Sequence, residues 1–146
     1  MRNSTDFSQA MLAGYTFKGQ SFDLGGPLFN GECPPGTAVR VPLRMMNRHG
    51  LIAGATGTGK TKTLQVIAEQ LCMAGVPTLL MDIKGDLSGI AAPALPNPKI
   101  DARQQKMGVA WEPLRLPVEL LSLSPAPGGG PPSASSGLCC SAASWS

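Results

Sequence analysis

Residues 51–61 (LIAGATGTGKT) carry the residue types and the spacing for one kind of chemistry, the gripping of a polyphosphate. They fit G-x-x-x-x-G-K-[ST], with Gly54 opening the pattern and Gly59, Lys60 and Thr61 closing it. Gly54, Gly57 and Gly59 permit backbone angles closed to other residues, so successive main-chain N–H groups can turn inward around phosphate oxygens. A helix that starts at the end of such a loop adds its positive pole. Lys60 is placed to reach the β- and γ-phosphates, and the Thr61 hydroxyl to ligate Mg²⁺. The candidate nucleotide contacts are therefore Gly54, Ala55, Thr56, Gly57, Thr58, Gly59, Lys60 and Thr61, with Thr61 the metal ligand. The implied cofactors are ATP and Mg²⁺.

A phosphate loop needs a strand before it and a helix after it, and the flanks read that way. Leu51, Ile52 and Ala53 form an apolar run expected to be a buried parallel strand. Leu64, Ile67, Ala68 and Leu71 follow at i, i+3, i+4 and i+7, predicting a helix from about Gly59 to Ala74 with one buried face. Gly75 is a natural stop, and Pro77 follows it by two residues. Thr78, Leu79, Leu80 and Met81 then read as a second strand ending in Asp82. Strand, loop, helix and strand make one βαβ unit, expected to be parallel and right-handed.

Upstream, residues 1–15 are polar and read as frayed. Weak strand signals lie at residues 15–18 and 21–24, Asn30-Gly31 is a turn pair, and residues 37–43 alternate as a strand ending near Pro42. His49, the single histidine, has no carboxylate or serine placed for a nucleophilic constellation and reads as structural. Downstream, Asn97-Pro98 offers a cap and a first-turn proline for a short helix through Met107 that Gly108 closes. Lys99, Asp101, Arg103 and Lys106 give that helix a solvated face, and residues 116–121 read as a third strand weakened by Pro117.

Composition bounds the rest. The 146 residues suffice for one core, but 18 Gly and 14 Pro are many for a compact α/β domain. A net charge of +3 is too small to argue for nucleic acid by itself. Cys33, Cys72, Cys139 and Cys140 show no metal spacing and no paired framework, so reduced thiols and a cytoplasmic location are expected. No long apolar run predicts a membrane span. From Leu120 to Ser146 no charged residue occurs, and Ser, Pro, Gly, Ala and Cys dominate, as in a disordered low-complexity tail. Synonymous codons exist for residues 133–146 whose shifted frame reads as a charged amphipathic segment, so an out-of-frame tail is compatible with the sequence.

Residues 47–61 resemble the P-loop of the bacterial HerA-like ATPases, and residues 74–77 (AGVP) and 82–91 (DIKGDLSGIA) resemble the same helicase HerA-like family again. The resemblance runs from about Ala38 to Leu121. It places the chain in the HerA–FtsK branch of P-loop NTPases, which contains DNA translocases and helicases. It implies DNA as a partner and full-length relatives that work as homo-oligomeric rings. It also implies that Asp82 is not the Walker B carboxylate, which in that branch lies further along. No such carboxylate, catalytic glutamate or arginine finger is identifiable here, so no catalytic residue is assigned. The expected fold is α/β, a partial P-loop NTPase with a parallel βαβ core. Residues 1–43 would form an arm with short β-strands, 44–121 the N-terminal part of the NTPase domain, and 122–146 the disordered tail. Two other readings stay open: a small P-loop kinase in which Asp82 acts on Mg²⁺ or substrate, and a nucleotide-binding remnant without turnover.

Overall fold

The N-terminal segment is helical where its polar composition predicted fraying. Helix α1 spans Ser4–Tyr15. Asn3 caps it by accepting the Asp6 N–H at 2.8 Å, and Asp6 adds a negative charge at the positive pole. The Phe7 ring stacks on Phe29 with centroids 5.0 Å apart. Cap and stacking hold a segment that composition alone leaves loose. The strand expected at residues 15–18 does not form, because Tyr15 closes α1 and Gly19 (φ 93°) turns the chain.

A computed structural model describes residues 3–83, 85–108, 112–122 and 136–140. Among the described residues, three α-helices and two small sheets give an α/β fold. The chain divides into two units, Met1–Gly50 with Leu95–Pro113, and Leu51–Ala94 with Leu114–Ser146.

In the first unit, strands β1 (Ser21–Gly25) and β2 (Val39–Pro42) pair antiparallel, with Phe22 opposite Val41. Phe22 is buried, and the Arg40 guanidinium donates to Asp23 across the ladder at 2.9 Å. That pair is exposed and contributes at most about 1 kcal/mol. The Asn30-Gly31 turn forms as expected, with φ of 51° and 83° and a Phe29–Glu32 bridge on either side. The remaining helix of this unit, α3, covers Pro98–Met107. The Asn97 side chain accepts the Lys99 N–H, and Gly108 (φ 64°) ends the helix, as the sequence suggested.

In the second unit, α2 covers Lys60–Met73 and strand β3 covers Thr78–Asp82. The helix ends in a Schellman motif: Val76 N–H donates to Leu71 O, Gly75 N–H to Cys72 O, and Gly75 sits at φ 77°. Ala68 and Cys72 join Leu80, Leu87, Ile90 and Leu116 in the core, with Leu64 and Val118 packed against it. Glu69 lies half-buried on the same helix, and burial raises its carboxyl above the ordinary 4.5. The folded state thus holds this proton more tightly than the unfolded chain. Its stabilising effect is complete below pH 4.5 and is lost as pH rises through the raised value. Glu69→Gln should flatten that part of a pH series of urea denaturation curves.

Among the described residues the parallel βαβ core expected from the sequence does not form. Strand β3 pairs antiparallel with β5 (Ser136–Cys140), which pairs antiparallel with β4 (Val118–Ser122), in the order β3-β5-β4. Residues 51–53 lie outside any strand, with Leu51 89% exposed. A buried parallel strand needs partners for its main-chain groups, and no described residue pairs with this tripeptide. The tail expected to be disordered supplies β5, an uncharged, proline-free segment that can satisfy the facing edges of β3 and β4. The rest of the tail lies outside the described residues.

Alternation along β3 buries Leu80 and Asp82 and leaves Leu79, Met81 and, just beyond, Ile83 bare. Met81 is 78% exposed, so Met81→Lys should shift stability by no more than about 0.5 kcal/mol while reducing self-association in sedimentation velocity. A loss of several kcal/mol would mean that this face is covered.

Candidate functional site

Residues 54–61 form a tight turn that runs into the start of α2. Gly57 and Gly59 adopt φ of 80° and 95°, the left-handed region where a side chain is strained. A Cβ on Gly54 would lie 2.6 Å from Thr58 Oγ1 and 3.6 Å from Lys60 Cγ, so the loop closes tightly over this glycine. Three donors converge on the Ala55 carbonyl: Thr58 N–H at 3.4 Å, Thr58 Oγ1 at 2.8 Å and Lys60 Nζ at 2.6 Å. The Lys60 ammonium is thereby folded back across the loop. Gly59 caps α2 without a side chain, and Gly59 O accepts the Thr63 N–H at 2.9 Å.

The electrostatics favour an anion. The first turn of α2 holds Lys60 and Lys62 and no acidic residue, so no side chain of that turn neutralises the helix's positive pole. Lys62 donates to Gln65 Oε1 at 2.8 Å and Lys60 to the loop carbonyl, and both are solvent-accessible. No hydrogen bond among the described residues engages the Thr61 hydroxyl, which leaves its lone pairs for a cation. No group of three or more His, Cys, Asp or Glu side chains that could hold a metal occurs among the described residues.

Asp82, left without an assigned role by the sequence, is engaged by its own loop. It is buried; Oδ1 accepts the Gly85 N–H and Oδ2 the Leu87 N–H, each at 2.8 Å. Gly85 (φ 79°) makes the turn, and the chain then enters the short 3-10 helix Ser88–Ala91. Leu87 and Ile90 are thereby delivered to the core, and Gln65 Nε2 ties α2 to Asp86 O at 3.1 Å. The carboxylate organises a loop. The spacing Asp82, Gly85, Leu87 is present in the sequence, but it does not by itself say which main-chain donors reach the carboxylate. His49 is exposed, and Cys33 and Cys72 are free thiols, the second of them buried.

A family model described as Helicase HerA-like C-terminal matches residues 29–133, a span that includes the loop, α2 and Asp82. No curated protein and no solved structure matches the chain. No helix among the described residues is long and apolar enough to cross a membrane.

Proposed function

The chain belongs to the helicase HerA-like C-terminal family, and from that premise we propose that it binds Mg-ATP through residues 54–61. The observation that carries this reading is the placement of Lys60. Its ammonium lies across a glycine-rich turn at an uncompensated helix N-terminus, 2.6 Å from the Ala55 carbonyl. A triphosphate offers this cation a stronger, charged acceptor in place of that carbonyl. Main-chain N–H groups of the loop would receive the phosphate oxygens, and Thr61 would join the Mg²⁺ shell. ATP supplies the phosphates and Mg²⁺ the charge neutralisation; the chain supplies grip and orientation.

The kinase-like alternative needs Asp82 at the metal or the substrate. With Oδ1 and Oδ2 accepting main-chain N–H groups at 2.8 Å, that carboxylate serves its own loop, which favours the ATPase-family reading. Hydrolysis further needs a carboxylate to orient water and a cation on the transferring phosphoryl group. Neither is assigned in this chain, so the proposal stops at binding; DNA and ring assembly belong to it only through the family. Amide hydrogen exchange with and without Mg-ATP tests it. Saturable protection of residues 54–61 is the expected result, and unchanged exchange there at millimolar Mg-ATP would discard the site.

A further inference from the structure

An open-sided depression of about 420 Å³ lies in the first unit, between the 26–33 turn and α3. Arg103 and Lys106, one helical turn apart on α3, both line it. Among the described residues neither side chain has a hydrogen-bond or ion-pair partner, and Glu32, on the cavity wall, has none either. Leu28 and Met107 supply its apolar surface. Its floor is built closely: a Cβ on Gly26 would come within 2.7 Å of Cys33 Sγ and 3.3 Å of Met107 Cγ. The glycine lets the Cys33 thiol and the Met107 side chain lie close to the main chain there.

We propose that this cavity binds a small phosphate monoester, its head between Arg103 and Lys106 and its apolar body on Leu28 and Met107. A dianion matches two adjacent cations, with the guanidinium fork and the ammonium each taking phosphate oxygens. The volume suits a small molecule. Glu32 accepts a hydroxyl or amine of the ligand's body and repels further phosphates. For that reason a nucleic-acid backbone fits less well than a single phosphate head. No residue of the 54–61 loop lines this site.

Cys33 lies in the cavity wall as a partly exposed free thiol, whereas Cys72 is buried in the other unit, so alkylation reports occupancy with an internal control. The full chain is treated with iodoacetamide while phenyl phosphate is titrated, and Cys33 and Cys72 peptides are followed by mass spectrometry. Saturable slowing at Cys33 alone is expected. Arg103→Gln combined with Lys106→Gln should raise the half-protecting concentration roughly 10- to 100-fold. Glutamine keeps helix propensity, and circular dichroism checks that the fold is retained. Lys60→Ala should leave protection unchanged. The proposal is overturned if phenyl phosphate gives no protection, or if the double variant is protected as well as the wild type. It is equally overturned if Lys60→Ala abolishes protection, if inorganic phosphate is as potent as phenyl phosphate, or if only single-stranded oligothymidylate protects.

Discussion

Replacing Lys60 with alanine is expected to weaken Mg-ATP binding roughly 10- to 150-fold, the loss of a charge-assisted contact of ~1.5–3 kcal/mol. The same change should barely affect folding. The bond it removes, from Lys60 Nζ to Ala55 O, is solvent-exposed, and an exposed carbonyl left behind is satisfied by water. Alanine also has the highest helix propensity, so the start of α2 does not suffer. Affinity and stability therefore separate, and isothermal titration beside urea denaturation reads both. Thr61→Ala should lower affinity chiefly when Mg²⁺ is present, since its hydroxyl is assigned to the metal. Equal ATP affinity of wild type and Lys60→Ala would remove the loop as the binding site.

Asp82→Ala should have the opposite profile, a loss of about 2–4 kcal/mol in stability. Two main-chain N–H groups, of Gly85 and Leu87, would lose a charged acceptor held at 2.8 Å, and the bond to Leu87 is buried where water cannot replace it. The loop would then release Leu87 and Ile90, which are core residues of this unit. If the alanine variant fails to fold, Asp82→Asn still discriminates. Its carbonyl oxygen can satisfy one N–H while its amide faces the other, so an intermediate loss is expected. Bound to Mg-ATP, the folded Asp82→Asn protein should keep wild-type affinity. Undiminished stability with affinity lost would return Asp82 to the nucleotide and revive the kinase-like reading.

The elements that the sequence announced are those whose ends carry local chemistry. Gly75 closes α2 because a Schellman turn needs its positive φ, and Asn97, Pro98 and Gly108 bound α3 for equally local reasons. The Asn30-Gly31 turn needs two residues tolerant of positive φ. The apolar face of α2 was legible from its period, since Leu64, Ala68 and Leu71 recur one turn apart, although Leu64 and Ile67 are only half-buried. Helix α1 was missed although its Asn3 cap is local, because the Phe7–Phe29 stacking that adds to it joins residues more than twenty apart in the chain.

By itself the sequence determined the glycine spacing of residues 54–61, the helix that follows them, and the cation and hydroxyl at its start; these are near-neighbour properties. Only the tertiary structure decided which strands meet. Residues 51–53 have the composition of a strand but no described partner, and β3 instead pairs with a segment more than fifty residues downstream. It also decided what Asp82 does, since a carboxylate's role depends on which donors reach it. Pairing and hydrogen bonding are satisfied between groups brought together in space, and a pattern of residue types does not state the partner.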